Sequence, residues 1–185
     1  EYQLNVPFNL DNPNWKMKKN TDIKIQILKQ MQSLLASKID DARQTIASAK
    51  ESRNNDTKSS AGDKYETGRA MIQMEIDNNE IQLDKALQQQ EELSKIDIER
   101  HNEYVVPGSV VINNHETYFV AIAMGKIIVD GNPFYAISLA SPIGLLLKNK
   151  AAGEQIEFMG RKLVIKATVW FKFNGFIRFY PIFQS

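Results

Sequence analysis

The chain has 185 residues, of which 43% are hydrophobic and 24% charged, a composition typical of a folded globular protein. With 23 Lys and Arg against 22 Asp and Glu, the net charge of +1 does not support a general electrostatic grip on nucleic acid. The absence of cysteine excludes disulfides, thiolate zinc sites and a cysteine nucleophile. No apolar run reaches the roughly 18–20 residues of a membrane span, and the N-terminus lacks a signal-peptide layout. We therefore predict a cytoplasmic protein without membrane contact.

The two ends differ in composition from the rest of the chain. Residues 1–20 are predicted to be an irregular N-terminal extension, because they contain two prolines and no hydrophobic period, and Met17 is interpreted as the true start. Residues 169–185 hold seven of the 17 aromatic residues and no acidic residue. A membrane-surface or partner-binding tail would explain this composition. We favour an extra strand or a non-native extension of the reading frame.

Residues 21–95 are predicted to form an antiparallel coiled-coil hairpin. Apolar residues recur at spacings of three or four in two segments, which places them on one face of each of two helices. Between the segments, SRNNDTKSSAGDK at 52–64 is rich in turn and cap residues, so the chain must reverse there. The first stripe comprises Leu28, Met31, Leu35, Ile39, Ala42, Ile46 and Ala49, and the second comprises Ile72, Ile76, Leu83, Ala86 and Leu93.

The predicted hairpin is longer than a small domain needs to cover its own core. Helices of roughly 30 residues reach about 45 Å at ~1.5 Å per residue. This length is typical of an arm that reaches a distant site. A structural hairpin or a dimerising coiled coil has the same periodicity, so the pattern alone does not separate these alternatives.

After a predicted linker at 96–103, residues 104–168 change to short β-branched runs separated by turn signals such as Asp-Gly and Met-Gly. We predict a compact antiparallel sheet. The segment at 141–155 interrupts the runs with a capping Ser141 and with Pro142 at a first helical position, which predicts one short helix. The predicted fold class is α+β, a helical hairpin followed by a small β domain.

The segment ISLASPIGLLLKNKAAGEQIEF, residues 137–158, resembles the C-terminal signature of the Gre family of bacterial RNA polymerase factors. The resemblance implies that residues 104–168 form an FKBP-like domain that grips the rim of the polymerase secondary channel, while the hairpin reaches down that channel. It also implies RNA polymerase as partner, indirect contact with the RNA 3′ end and a monomeric protein. The residues that it assigns to polymerase binding are Ser141, Pro142, Gly144 and Lys148.

In this family, acidic residues at the hairpin tip help to hold a Mg²⁺ ion shared with RNA polymerase and so promote cleavage of backtracked transcripts. The tip at 56–71 resembles the family in Tyr65 and the following Arg-bearing helix start. Anchoring on Tyr65 would put the usual acid pair at Ser59 and Gly62, neither of which is acidic. The sequence SSAGDKYETGRAM resembles a divergent group of Gre-like proteins of Bacteroidetes-type bacteria.

Three other tip carboxylates are candidates for the catalytic role: Asp63, Glu66 and Asp56. Asp63 and Asp56 are the candidate ligands of the shared Mg²⁺, because magnesium prefers hard carboxylate oxygens. A structural role is the alternative, since carboxylates in the first turn of a helix interact favourably with its exposed N–H groups.

Three functions are compatible with these features. The first is an accessory factor that stimulates the polymerase's own transcript cleavage and is not itself an enzyme. The second is a secondary-channel regulator without cleavage activity, which the missing acid pair favours. The third is an FKBP-like peptide-binding or chaperone module with a coiled-coil arm, independent of polymerase. No Gly-rich phosphate loop, metal-ligand cluster or nucleophile with its base indicates an enzyme in isolation.

Overall fold

Two long helices occupy the first half of the chain. In a computed structural model that describes residues 20–55, 63–99 and 102–169, helix α1 spans Asn20–Asn55 and helix α2 spans Asp63–Ser94. The described residues divide into two compact units. One comprises residues 32–94, and the other combines residues 20–31 with those from 95 onward.

The predicted apolar stripes are the buried faces of the two helices. In α1, every third or fourth residue from Met31 to Ala49 is buried, as the spacing predicts, although Ile27 rather than Leu28 is the buried residue of the preceding turn. In α2, Ile76, Ala86 and Leu93 are buried. The helices extend further toward the turn than expected, because α1 continues to Asn55.

The two helices pack against each other and run antiparallel. Ile46 and Ala49 of α1 form an apolar cluster with Ile76 of α2. Polar contacts follow the same direction: as residue numbers rise along α1, their partners on α2 fall. Lys50 Nζ lies 2.8 Å from Glu80 Oε1, and the Arg53 guanidinium donates to Gln73 Oε1. The predicted hairpin of packed helices is therefore confirmed.

The second half of the chain folds into one mixed sheet of six strands in the order β3-β4-β2-β1-β6-β5. Two tight turns follow the expected chemistry, since each has positive φ at both central residues: Asp130 with Gly131 between β3 and β4, and Met159 with Gly160 between β5 and β6. The strands are β1 Val110–Asn113, β2 Thr117–Ala121, β3 Gly125–Val129, β4 Asn132–Ser138, β5 Gln155–Phe158 and β6 Arg161–Val169.

The prediction of a purely antiparallel sheet is wrong, because β2 and β4 pair in parallel, with Tyr118 opposite Tyr135. The β3–β4 hairpin folds back so that β4 lies inside the sheet and β3 at its edge. Both strands bury part of their length, but β3 also exposes Lys126 and Ile128. The strand with the exposed lysine takes the edge position, where a charge disfavours pairing with another chain.

The first β run is also shorter than predicted. The run at 104–112 becomes strand only from Val110, because a turn at Pro107 and Gly108 precedes it. Gly108 has φ +87°, and a Cβ there would lie 2.5 Å from the carbonyl oxygen of Asp97. Only glycine fits this close approach.

Helix α3, Pro142–Leu147, follows β4 in the chain and packs on the sheet, where it contacts both β4 and β5. Ser141 is its N-cap and Pro142 its first residue, as predicted. Ile143 and Leu147 join a core with residues from several strands. That core also contains Val105, Val111, Tyr118, Val120, Ile137, Ile156, Leu163 and Ile165.

The predictions for the two chain ends concern residues outside the described ranges, namely the extension up to residue 19 and the tail from residue 170. The linker at 96–103 is described except for residues 100 and 101. Within the described ranges, no helix combines the length and apolar character needed to cross a membrane.

Lys24 is a buried cation on the first turns of α1. It is 3% exposed, and its Nζ donates to the carbonyl oxygen of Ile98 at 3.3 Å. Burial lowers the pKa of Lys24 from 10.5 to about 8, although the carboxylate of Asp97 opposes the change. The folded chain therefore binds this proton less tightly than the unfolded chain does.

The compact unit that contains the sheet, residues 20–31 and those from 95 onward, is called the sheet unit. We expect Gly144→Ala to destabilise it by about 3 kcal/mol or to prevent its folding. A Cβ at Gly144 would lie 2.0 Å from the carbonyl oxygen of Ser138 and 2.8 Å from Leu139 Cα. Urea unfolding followed by circular dichroism measures the change. The control is Gly68→Ala in α2, where a Cβ meets nothing within 4 Å and alanine should stabilise the helix by about 0.5–1 kcal/mol. Equal effects of the two substitutions would contradict this packing.

We expect the stability contributed at Lys24 to rise with pH. Between the folded pKa of about 8 and the unfolded value of 10.5, the unfolded chain binds more protons, so raising the pH favours folding. The free energy of unfolding of the wild type, relative to Lys24→Met, should increase by about 2 kcal/mol between pH 8 and 10. Urea unfolding of both proteins across this range measures it. A difference that does not change with pH would contradict the prediction.

Candidate functional site

The tip of the hairpin carries the predicted carboxylates, and only part of it is described. Helix α1 ends at Asn55 and α2 begins at Asp63, so Asp56 lies outside the described residues. Asp63 is the first residue of α2, although its carboxylate is not among the described side chains. Glu66 lies in the same first turn, three residues later, and is exposed to solvent. Two of the three candidates therefore share the first turn of one helix.

The helical stem beside the tip is held by a chain of side-chain hydrogen bonds. Arg53, near the end of α1, donates to Gln73, and Gln73 Nε2 donates to Asp77 Oδ1 at 2.7 Å. Such contacts tie α1 to α2 close to the reversal. The more exposed pair of Lys50 and Glu80 contributes only a few tenths of a kcal/mol. The stem thus fixes the positions from which both ends of the tip emerge.

Two of the four residues assigned to polymerase binding have structural roles in α3. Ser141 Oγ accepts a hydrogen bond from the backbone N–H of Gly144 at 3.1 Å and donates to the carbonyl oxygen of Ser138 at 2.6 Å. Gly144 is buried and lies so close to Ser138 that no side chain fits there. Their part in binding stays a prediction, and the fold alone requires both.

Pro142 and Lys148, the other two assigned residues, are exposed at the two ends of α3. Between them, the side chains of Leu145 and Leu146 are also exposed, by 62% and 40%. The sequence pattern did not predict that these two leucines are exposed. The signal was the run of three leucines at 145–147, because a helix of six residues turns only one of them toward the sheet.

The turn after α3 is held by its own acid. The Glu154 carboxylate accepts hydrogen bonds from Lys150 Nζ at 2.9 Å and from the backbone N–H of Ala151 at 2.6 Å. Both bonds lower the pKa of the Glu154 carboxyl, and the bond from Lys150 has the larger effect. Gly153 has φ +92° in the same turn. Gly153 and Glu154 therefore make the turn into β5.

A second polar cluster lies at the β1–β2 turn. Asn113 Oδ1 accepts hydrogen bonds from the backbone N–H groups of His115 and Glu116 at 2.7 and 2.9 Å. The Tyr118 hydroxyl donates to Glu116 Oε2 at 2.7 Å. Burial raises the pKa of the Tyr118 phenol, and the hydrogen bond to Glu116 raises it further. These bonds hold the backbone of the turn, whereas Asn113 Nδ2 and Thr117 Oγ1 are buried without a hydrogen-bond partner among the described residues.

Across residues 20–55, 63–99 and 102–169, no three His, Asp or Glu side chains form a group that could hold a metal ion. Protein Mg²⁺ sites commonly combine one or two carboxylates with ligands from elsewhere. Glu66 and Asp63 are suitable in chemistry, since both offer hard oxygen donors.

Comparison of the chain with protein-family models, with curated proteins and with solved structures finds no match. The resemblance to the Gre family therefore stays a prediction, which rests on residues 137–158 and on the order of the two halves of the chain.

Proposed function

We propose that this chain is a Gre-like transcription elongation factor that binds RNA polymerase, inserts its hairpin in the secondary channel and promotes cleavage of backtracked transcripts. The observation that carries the proposal is the segment at 137–158, whose Ser-Pro-Ile-Gly motif caps and starts α3 behind a sheet strand. A helical hairpin precedes this segment in the chain. Both parts occur in the order that the family resemblance requires.

The length of the hairpin supports a role at a distance. Helix α1 has 36 residues, which corresponds to about 54 Å at ~1.5 Å per residue. Its packing against α2 buries Ile46, Ala49 and Ile76 in the stem, and Asp63 is the first residue of α2 after the reversal. A rigid stem with acids at its end can hold a carboxylate beside a reacting phosphate without forming a catalytic pocket of its own.

In this proposal, Asp63, Asp56 and Glu66 act together with the polymerase, which supplies the catalytic framework. The Mg²⁺ shared with the polymerase supplies charge stabilisation for the hydrolysis of a phosphodiester. The role of the chain's own residues is to present carboxylate oxygens at the tip, with Asp63 and Glu66 three residues apart in the first turn of α2. The protein is then an accessory factor that makes indirect contact with the RNA 3′ end.

A channel regulator without cleavage activity is the second candidate. The observation that favours it is the pair of positions Ser59 and Gly62, which carry no acid where the family pattern has two. In that case, the hairpin would block nucleotide entry or alter initiation.

The remaining assignments belong to the same proposal. We assign an FKBP-type fold to residues 104–168. We also assign the whole protein a cytoplasmic location and, when it is free, a monomeric state. The α+β order of the chain and the single short helix on the sheet support the domain assignment. Failure of the chain to bind RNA polymerase would favour instead a peptide-binding or chaperone module with a coiled-coil arm.

We expect Asp63→Asn to reduce transcript cleavage by about 100-fold or more, because removing one ligand or charge from a phosphoryl-transfer site costs several kcal/mol. The measurement is the shortening of 3′-labelled RNA in stalled, backtracked polymerase complexes. Binding of the variant to polymerase should be unchanged. The control is Asp40→Asn, which alters an exposed carboxylate of the same hairpin that is paired only loosely with Arg43, at 4.0 Å.

Two results would redirect the proposal. Slower RNA synthesis without RNA shortening, with wild type and Asp63→Asn acting alike, would establish the regulator. Full cleavage by Asp63→Asn, but loss with Asp56→Asn or Glu66→Gln, would move the catalytic role to another tip carboxylate.

We expect Lys148→Glu to weaken binding to RNA polymerase by about tenfold, because reversal of an exposed charge at an interface costs more than 1 kcal/mol. Lys148 is exposed at the C-terminal end of α3. Biolayer interferometry with immobilised polymerase measures the affinity. The matched control is Lys126→Glu on the edge strand β3, also exposed. Equal loss with both variants would indicate a general charge effect and contradict a binding role of α3.

A further inference from the structure

The outer face of α2 exposes large apolar side chains. Met71, Met74 and Ile81 are exposed by 69%, 66% and 62%. On α1, by contrast, Leu34, at 38%, is the one exposed large hydrophobic residue among those described. Single exposed apolar residues are normal. Three on one helix, all more than 60% exposed, form a continuous feature that we call the methionine ridge.

The spacing of the methionine ridge is that of a coiled-coil seam. Met71, Asn78 and Lys85 recur every seven residues and occupy a positions of a heptad. Met74 and Ile81, each three residues after an a position, occupy d positions. All five residues are exposed. The face that α2 turns toward α1 consists of other positions, including Ile76 and Leu83. Helix α2 therefore has one seam that is filled and a second that is open.

Asn78 has a specific meaning at the centre of this second seam. A single Asn at an a position fixes the register and the number of helices of a coiled coil, at some cost in stability. Asn78 is exposed between Met74 and Ile81. On a helix that faces solvent, this pattern buries no apolar surface. On a helix that packs against a partner, the apolar residues supply the contact and the Asn sets the register.

The charges beside the seam decide which partner fits. The flanking e and g positions are Glu75, Asp77, Gln82 and Asp84, all exposed, so three of the four carry a negative charge. Residues at e and g select partners by charge. A second copy of α2 running antiparallel would place Asp77 opposite Asp84, which is unfavourable, and a parallel copy would place these acids opposite glutamines, which offer no attraction. A partner helix with Lys or Arg at these positions would be attracted.

We propose that the methionine ridge is a docking surface for a cationic amphipathic helix of a partner protein. The partner packs apolar a and d residues against Met71, Met74 and Ile81 and sets lysines or arginines beside Glu75 and Asp84. Methionine suits this role because its unbranched, polarizable side chain adapts to different partners. The chain as a whole carries a net charge of only +1. Attraction of a cationic helix must therefore arise locally, at these carboxylates.

The test uses the full chain and a labelled synthetic peptide of three heptads, with Ile and Leu at a and d, Asn at the central a position and Lys at every e and g. These lysines also keep the peptide from pairing with itself. Fluorescence anisotropy should show binding to the wild type that weakens as salt is raised. A second peptide with Glu at every e and g should not bind.

Three variants locate the site. The combined substitution Met71→Ser, Met74→Ser and Ile81→Ser should weaken peptide binding at least about tenfold. Glu75→Gln with Asp84→Asn should weaken it several-fold and flatten its salt dependence. Met159→Ser is the matched control, because Met159 is 85% exposed in the sheet unit, and it should leave binding unchanged. Circular dichroism checks that each variant keeps its helix content.

The inference is independent of polymerase, since no polymerase is present in the measurement. It is overturned if the Lys peptide fails to bind the wild type, if both peptides bind equally, or if the triple variant binds as well as the wild type. Sedimentation equilibrium of the chain alone gives the other decisive outcome. A dimer that the triple variant abolishes would assign the methionine ridge to a second copy and overturn the proposal.

Discussion

The carbonyl oxygen of Ser138, at the end of β4, is the point on which the arrangement of the sheet unit depends. It accepts hydrogen bonds from the N–H and the hydroxyl of Ser141, and it lies so close to Gly144 that no side chain can stand there. This contact turns the chain from the sheet into α3. Once α3 is held at this distance, Ile143 and Leu147 enter the core, while Pro142, Leu145, Leu146 and Lys148 remain outside. One close approach thus separates the residues that stabilise the domain from those available to a partner.

The hairpin obeys a different constraint, which is that α2 has apolar residues on two faces. The face with Ile76 is buried against α1 and gives the stem its stability. The face with Met71, Met74 and Ile81 is exposed and contributes nothing to that packing. Exposed apolar surface of this kind is retained for binding more often than for folding. The same helix therefore carries tip carboxylates for one proposed role and a lateral surface for another.

Much of the candidate site was predictable, and the part that was not has a physical reason. The cap at Ser141 and the start of α3 at Pro142 follow from local backbone chemistry, which depends on a few neighbouring residues. The burial of Gly144 and the exposure of Leu145 and Leu146 do not, because they depend on how closely α3 approaches the sheet. At the tip, the turn composition of 52–64 predicted a reversal but could not show that α1 continues to Asn55, since Asn and Ser are acceptable in a terminal helical turn as well as in a loop.

By itself, the sequence determined the α+β class, the two helices with their buried stripes, and the tight turns at Asp130–Gly131 and Met159–Gly160, because each depends on local periodicity or on residues that tolerate positive φ. Only the tertiary structure decided the order of the strands. The parallel pairing of β2 with β4 was not predictable, since turn signals specify only strands that are neighbours in sequence. β4 lies inside the sheet and β3, with exposed Lys126 and Ile128, lies at its edge, and this competition between strands for the interior is settled only when all of them assemble.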